Sequence, residues 1–454
     1  MPGERQVNSR LRNKLVYASG QFGLVLCGYG IIRLFSSFFV ARGVSGVRLF
    51  PDYIYQNDLF GFFTAAGLIV ALSRLADTVA GVVAAWVSDR GALRTGRRTA
   101  MMRAAAVPLA LFSALAFFPP SASNMALNTV VICLCTIAFF FAYSLYAIPY
   151  LALISELGVR ARDRLQLSTL MAFATAFASL AGNRELAFMD TVSRLTGLSP
   201  LASFRLVIAG YALISCGFLL LPALTLADAI PPHSKPASEP PARAVGAVLS
   251  DRLLRPYLIA DFMYRLASAI VITGFLYYVT VLLGLPSGRS DYFLLMIFAV
   301  NVVLYYPVYL VAATYGKKRL LTGAFLALLV DIALLVPAGS YPVPASVQGW
   351  ILALLFAFPL TVFSVVPYAL IGDLAVACER KTGVLRGGMY FGLHAVAVRI
   401  SQMAVILLFP LFVSGSSPSA LGLRITLILA AAFALIGLFS VTAYREKEVS
   451  VLFE

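Results

Sequence analysis

Charged residues are scarce in this chain, and their scarcity excludes most soluble folds. Only 12% of the 454 residues are Asp, Glu, Lys or Arg, whereas 61% are hydrophobic. A soluble protein carries about a quarter charged residues, because much of any globule faces water. The lipid bilayer must therefore be the solvent for most of this chain.

Histidine and cysteine are also rare. Two histidines exclude a His-rich metal site, and five cysteines without metal-type spacing indicate small apolar residues rather than a disulfide framework. We therefore expect no metal and no cofactor. No segments of alternating polarity indicate a β-barrel. The polar start of the chain leads directly into a long apolar run, so we expect an uncleaved first helix rather than a signal peptide.

Long apolar runs are abundant instead. A membrane-spanning helix requires about 20 mostly apolar residues, and the chain contains twelve runs of this kind. They lie near residues 15–41, 58–88, 100–119, 125–156, 165–189, 201–228, 254–284, 290–315, 320–338, 346–373, 387–414 and 420–443. The sequence therefore predicts an all-α integral membrane protein with twelve transmembrane helices.

The net charge of +15 is unevenly distributed along the chain. If the connections alternate between the two sides of a membrane, 24 of the 35 Lys and Arg fall on the side that holds both termini. Cytoplasmic loops carry such an excess, so we expect both termini in the cytoplasm and no nucleic-acid partner. The Ala- and Arg-rich composition favours a bacterial inner membrane.

The two halves of the chain resemble each other. Pro149 is followed by Glu156 near the end of the fourth span, and Pro367 is followed by Asp373 near the end of the tenth. A Pro- and Ala-rich stretch between the halves is typical of a linker. The predicted domains are an N-terminal six-helix bundle at 1–228, a cytoplasmic linker at 229–253, and a C-terminal six-helix bundle with a short cytoplasmic tail at 254–454.

Ionisable residues within the predicted spans are candidate site residues, because charge in a bilayer core is costly and usually faces a cavity or a partner. Asp77 lies three residues after Arg74, and Arg265 four after Asp261, so each pair shares a helix face. Such pairs either line a water-filled cavity or lock helices together. Asp331 is interpreted as structural or exposed at the rim. The candidates for substrate binding or counter-charge are Arg33, Arg74, Tyr150, Asp261, Arg265, His394 and Arg399.

Charged residues at the predicted cytoplasmic side form a candidate latch. Asp89 precedes several arginines, which can pair with carboxylates or cap helix ends. The alternative is charge that only sets the topology. The predicted gate or latch residues are Asp89, Arg97, Arg98, Glu156, Asp373, Glu379 and Arg386.

Four stretches resemble the glycoside–pentoside–hexuronide:cation symporters of the major facilitator superfamily, which include melibiose-permease-like proteins. They are residues 14–23, 74–98, 148–164 and 372–390. The resemblance implies two six-helix bundles around a central cavity, alternating access, and symport driven by Na⁺, Li⁺ or H⁺. It also implies that Asp77 is a cation ligand and that Arg399 stands where the family often has Lys.

This chain departs from the family pattern at several acidic positions. The second acidic residue of the second helix falls at Gly81, that of the first helix near Val25, and that of the fourth helix at Ala147. A hard cation such as Na⁺ prefers several oxygen ligands. We therefore expect coupling to a proton, or no coupling, rather than to Na⁺, although Na⁺ remains an alternative.

The expected function is secondary active transport, with Asp77 loading a proton and Arg399 acting as its counter-charge or as a substrate anchor. The expected substrate is a small polar solute, such as a glycoside, a sugar acid or another organic anion. The alternative is a carrier of amphiphiles such as lysolipids. No catalytic motif indicates an enzyme. Membrane lipids are the other expected partner, and we expect a monomer.

Overall fold

A computed structural model describes most of the chain. The described residues are 2–39, 50–55, 58–59, 63–90, 97–226, 235–236, 239–413 and 419–452.

Helices dominate the structure, and four strands have only two residues each. The helices are α1 (Pro2–Tyr29), α2 (Phe35–Phe39), α3 (Ala65–Arg90), α4 (Arg97–Leu115), α5 (Met125–Leu157), α6 (Ala161–Gly182), α7 (Glu185–Thr196), α8 (Pro200–Thr225), α9 (Pro241–Leu249), α10 (Leu254–Tyr277), α11 (Gly288–Tyr315), α12 (Lys317–Leu335), α13 (Ala345–Thr382), α14 (Gly387–Val413), α15 (Ala420–Ala443) and α16 (Glu446–Val451). Two π-helical turns, Gly30–Leu34 and Tyr278–Leu282, follow α1 and α10. The strands are Asp58–Leu59, Phe63–Thr64, Lys235–Pro236 and Val384–Leu385.

The described residues contain 10 helices that are long and apolar enough to cross a membrane. Two further long helices, α4 and α12, coincide with the third and ninth predicted spans. Each has 19 residues and begins with basic residues, which lowers its mean hydropathy. Basic side chains at a helix end can extend to the membrane interface, so α4 and α12 remain compatible with a spanning position. The predicted all-α membrane fold is confirmed.

Two predicted span boundaries are wrong. The span predicted at 58–88 begins only at Ala65, because Asp58–Leu59 and Phe63–Thr64 form a short antiparallel pair before α3. The span predicted at 165–189 ends at Gly182, and α7 begins at Glu185. With 12 residues, α7 is too short to cross a bilayer. The predicted span ran through the polar residues Asn183 and Arg184 because apolar residues lie on both sides of this junction.

The chain forms two compact units. The first unit comprises residues 1–157 and 173–241, and the second comprises residues 158–172 and 242–454. The start of α6 therefore belongs to the second unit and its remainder to the first. The predicted linker at 229–253 contains α9, whose residues from 242 onward are counted in the second unit.

Helix packing follows the same pattern inside each unit. In the first unit, α3 packs on α5, α4 on α5 and α8, and α1 on α8. In the second unit, α11 packs on α13, α12 on α13 and α15, and α10 on α15. These pairings match if α1, α3, α4, α5 and α8 of the first unit correspond to α10, α11, α12, α13 and α15 of the second. The packing therefore repeats the similarity seen between the two halves of the sequence.

Glycines allow close packing at several helix contacts. In the second unit, a Cβ atom at Gly437 of α15 would lie 2.4 Å from the ring of Phe325, a fully buried residue of α12. A Cβ atom at Gly323, also in α12, would meet nothing within 4 Å. Small residues are enriched at such membrane-helix contacts because they let the backbones approach.

We predict that Gly437→Ala destabilises the protein, whereas Gly323→Ala does not. The added methyl group at residue 437 must displace the Phe325 ring, and overpacking of this kind costs about 1–3 kcal/mol. At residue 323 the same change only improves helix propensity, by about 1 kcal/mol or less. Thermal unfolding of both variants in detergent measures the effect, and equal melting temperatures would contradict the packing argument.

Candidate functional site

Three predicted site residues of the second unit meet in one buried cluster, which we call the Asp261 cluster. Asp261 and Arg265 lie in α10, and His394 lies in α14. The Arg265 Nε atom is 2.9 Å from Asp261 Oδ2, and the His394 Nε2 atom is 3.0 Å from the same oxygen. The side chain of Asp261 is fully buried, that of His394 is 1% exposed and that of Arg265 is 21% exposed. One carboxylate oxygen therefore faces both a permanent cation and a titratable imidazole.

Further polar groups lie in or beside the Asp261 cluster. The Tyr368 ring packs edge-on against His394, with 5.6 Å between the ring centroids. Among the described residues, Asp261 Oδ1 and the hydroxyl groups of the buried Tyr257 and Tyr264 have no hydrogen-bond partner. Protein interiors rarely leave buried polar atoms unpaired. These oxygens can therefore bind a water molecule or a polar ligand.

Asp77 occupies a buried position in the first unit. Its side chain is 2% exposed, and the Ser144 hydroxyl of α5 donates a hydrogen bond to its Oδ1 atom at 2.8 Å. Arg74, one turn earlier on α3, holds its guanidinium 4.8 Å from the centre of the Phe140 ring, a cation–π contact. Sequence reasoning found Asp77 but missed Ser144, whose sequence signal is only a hydroxyl within an apolar helix.

Tyr150 takes part in a contact between α5 and α1. It stacks on Tyr17 with ring centroids 4.4 Å apart and an interplanar angle of 8°. The Tyr17 hydroxyl donates to the Tyr150 carbonyl oxygen at 3.1 Å, and the Tyr150 hydroxyl donates to the Tyr17 carbonyl oxygen at 2.8 Å. Both rings are fully buried. This geometry ties Tyr150 to helix packing.

The two remaining predicted cations have different environments. Arg33 lies in the π-helical turn Gly30–Leu34 of the first unit, and its side chain is exposed. Single-turn π-helical segments occur frequently at functional sites. Arg399 lies in α14 of the second unit, about one and a half turns after His394, and is 8% exposed. A cation that is so well buried within an apolar helix is costly.

Three predicted latch residues of the first unit form an ion-pair network, the Arg98 cluster. Arg98 Nη2 is 3.0 Å from Asp89 Oδ1, and Arg98 Nη1 is 3.0 Å from Glu156 Oε1. All three side chains are at most 10% exposed. The network joins the end of α3, the start of α4 and the end of α5. The side chain of the fourth predicted residue, Arg97, lies outside the described residues.

Asp373 forms a comparable network in the second unit, the Asp373 cluster. Its Oδ1 atom is 2.6 Å from Arg164 Nε, and its Oδ2 atom pairs with Lys317 Nζ. Arg164, at the start of α6, is fully buried and also donates to the Gly158 carbonyl oxygen at 2.6 Å. The sequence indicated Asp373 as a latch residue but did not identify Arg164 and Lys317 as its partners.

The last two predicted latch residues are half-buried. Glu379 lies near the end of α13, and Arg386 directly precedes α14. The two ion-pair networks are related by the sequence repeat, since Glu156 and Asp373 follow the matching prolines. In each unit, the acidic residue pairs with a basic residue at the start of the preceding helix, α4 or α12.

Comparison with solved structures shows the fold. The proton:xylose symporter XylE bound to 6-bromo-6-deoxy-D-glucose superposes with a TM-score of 0.65 at 14% identity, over 98% of this chain and 99% of that chain. The E. coli fucose:proton symporter FucP gives 0.63 at 14% identity, over 95% and 99%. An outward-facing bacterial homologue of the iron transporter ferroportin gives 0.66 at 12% identity, over 96% and 98%. Identities this low establish the fold alone.

Sequence comparison establishes the family. No curated protein sequence matches the chain. The profile of the family described as MFS/sugar transport protein matches residues 22–401, which is most of the chain. The predicted resemblance to major facilitator sugar:cation symporters is thereby confirmed. This protein belongs to the MFS/sugar transport protein family and is an integral membrane transporter of the major facilitator fold.

Proposed function

We propose that this protein is a secondary active transporter that couples the movement of a small polar solute to protons by alternating access. The observation that carries the proposal is the Asp261 cluster, in which a buried carboxylate faces both Arg265 and His394. Family membership supports the transporter class. XylE and FucP, which share the fold, are proton symporters for xylose and fucose.

His394 gives the Asp261 cluster a way to respond to protons. Histidine is the side chain that most readily changes charge between pH 5 and 8. With a neutral imidazole, the carboxylate of Asp261 and the guanidinium of Arg265 balance each other. A proton on His394 gives the cluster a net charge of +1, which favours an anionic group nearby. Uptake of a proton and of an anionic solute are therefore coupled through one local charge balance.

The basic residues favour a substrate with a carboxylate, such as a sugar acid, within the broader class of polar solutes. Arginine binds carboxylates through two parallel hydrogen bonds. Arg265 is partly exposed and can exchange its bond with Asp261 for a bond with a substrate. We propose that Arg399 supplies a second positive charge, either to the substrate or to a coupling carboxylate.

Asp77 is the proposed coupling carboxylate of the first unit. It is buried, and its Oδ1 atom already accepts a hydrogen bond from Ser144. A proton needs only the carboxyl group, whereas a hard metal cation requires several oxygen ligands. This argument favours H⁺ over Na⁺.

A second candidate function, the transport of amphiphiles such as lysolipids, is supported by one apolar cavity. It has a volume of about 200 Å³ and lies in the second unit between the end of α12 and the start of α13, with Leu334, Tyr341, Val343 and Ile351 in its lining. A cavity of this kind accepts an acyl chain better than it accepts a sugar.

The charge asymmetry of the loops supports our further proposals about topology. We propose that both termini lie in the cytoplasm and that the protein resides as a monomer in a bacterial inner membrane. On this topology, the Arg98 and Asp373 clusters lie at the cytoplasmic helix ends. They then act as a latch that breaks and re-forms during the transport cycle.

We predict that glucuronate raises the melting temperature of the detergent-solubilised protein. A ligand that binds only the folded state stabilises it by about 2.7 kcal/mol at 100 times its Kd. The partly exposed guanidinium of Arg265 supplies the positive charge that attracts the carboxylate of the ligand. Xylose, methyl glucoside and lysophosphatidylcholine complete the panel, each with and without Na⁺. Stabilisation by the lysolipid alone would favour the amphiphile carrier.

We predict that His394→Gln abolishes the accumulation of the solute found in this panel when a pH gradient is imposed on proteoliposomes. Exchange of labelled for unlabelled solute without a gradient should persist, because glutamine retains a polar group near Asp261. His233→Gln, at the other histidine of the sequence, is the matched control and should accumulate solute normally. Undiminished accumulation by His394→Gln would remove this residue from the coupling step.

We predict that Asp77→Asn likewise loses accumulation while its melting temperature stays close to that of the wild type. Asparagine preserves the hydrogen bond from Ser144 but cannot exchange a proton. The same proteoliposome assay tests it, and full accumulation would contradict the coupling role.

We predict that Arg98→Gln lowers the melting temperature strongly, whereas Arg445→Gln does not. Removing Arg98 takes away a cation that the nearly buried Asp89 and Glu156 share, and breaking a buried ion pair costs about 3–5 kcal/mol. Arg445 pairs with Glu448 at the exposed surface, where ion pairs contribute about 0–1 kcal/mol. The double variant Arg98→Gln with Glu156→Gln should recover part of the loss. Equal effects at residues 98 and 445 would contradict a stabilising role for the buried ion pairs of Arg98.

A further inference from the structure

Asp331 is a carboxyl group buried within the second unit. It lies in α12, and its side chain is 1% exposed. Its position contradicts the interpretation that it is exposed at a membrane rim. Its Oδ1 atom makes no hydrogen bond to any part of the chain that the structure describes, and no cation pairs with it there.

A small cavity adjoins this carboxyl group. Its volume is about 20 Å³, which is enough for one water molecule. Apolar side chains of α10, α11 and α13 form most of the lining, Phe293 and Phe356 among them. The remaining wall is the π-helical turn Tyr278–Leu282, which contributes Tyr278.

Few charged or titratable groups lie near the cavity, and the groups described below have other partners or lie away from Asp331. The hydroxyl groups of Tyr278 and of Thr426 in α15 are hydrogen-bonded to each other at 3.1 Å. Arg424 of α15 makes no ion pair with Asp331 within the described residues. On α11, Asp291 in the first turn is exposed to solvent. The basic start of α12, which ends at Arg319, lies about 18 Å away along the helix. On α13, the ionisable groups Tyr368, Asp373 and Glu379 lie toward its other end.

An ionised carboxylate in this mostly apolar setting has no counter-charge among the described residues. Burying such a charge unpaired costs far more than burying the neutral acid, which loses only hydrogen bonds to water. The neutral acid can also donate a hydrogen bond into the cavity, whereas the carboxylate can only accept. The protonated form is therefore the one that fits the site.

We propose that Asp331 is a proton-binding site of the second unit, which holds a proton at neutral pH beside the π-helical turn Tyr278–Leu282. Release transfers the proton from the carboxyl oxygen to a water molecule and leaves a carboxylate, so it requires water to enter the cavity. Segments of π-helix recur at functional sites, and this one closes the cavity on one side. The site is separate from Asp77 and from the Asp261 cluster.

Infrared difference spectroscopy of the purified full-length protein at pH 7 tests this proposal. Protonated carboxyl groups absorb at a higher frequency than carboxylates, so each substitution reveals the state of the group it removes. Asp331→Asn should remove a protonated-carboxyl band. Asp291→Asn, at the exposed aspartate of α11, is the matched control and should remove only carboxylate bands.

Loss of a carboxylate band in Asp331→Asn would overturn the proposal and would indicate an ionised Asp331, for example one paired with Arg424. Should Asp331→Asn fail to fold, Asp331→Glu retains the acid. The spectrum of this variant must then show the protonated-carboxyl band at a shifted frequency. A spectrum in which the substitution changes only carboxylate bands would again overturn the proposal. The spectra do not depend on transport, so the outcome is independent of the proposed coupling roles of Asp77 and His394.

Discussion

The interior of a membrane protein offers charged groups neither water nor a high dielectric, and this constraint accounts for much of the structure. A charge there needs a partner within the protein or a neutral form. The described ionisable groups follow both routes. Arg98 lies between two carboxylates, and Asp373 between two cations. Asp331 has no such counter-charge in the described structure, and for that reason we assign it the neutral form.

The same constraint separates structural charges from those suited to coupling. In the Arg98 cluster the partners are all permanent charges at neutral pH, and they tie together helix ends. In the Asp261 cluster one partner is an imidazole, and Asp261 Oδ1 has no hydrogen-bond partner among the described groups. A network of permanent charges can hold helix ends together in one transport state, whereas a network with a titratable member can change its charge without unfolding. The second kind of network is the one that a proton-coupled transporter requires.

Duplication explains why the ion-pair networks occur in similar places in each unit. Each of the matching prolines is followed by an acidic residue, seven residues on in the first half and six in the second, and basic residues begin both α4 and α12. Helix packing repeats as well. The Asp261 cluster and Asp77 do not repeat, since Asp77 contacts a serine rather than a histidine. The repeated features therefore serve the common scaffold, and the features that differ are those proposed for binding and coupling.

The sequence by itself determined the membrane class, the number of long helices, the family and the Asp261–Arg265 pair, because each depends on composition or on spacing within one helix. Only the tertiary structure brought His394 to Asp261, across 133 residues, and Arg164 to Asp373, across 209. It alone separated α7 from α6 and buried Asp331. Helix periodicity fixes which residues share a face, but the rotation of each helix and its neighbours depend on packing between distant segments. Partners on different helices are therefore decided by the fold.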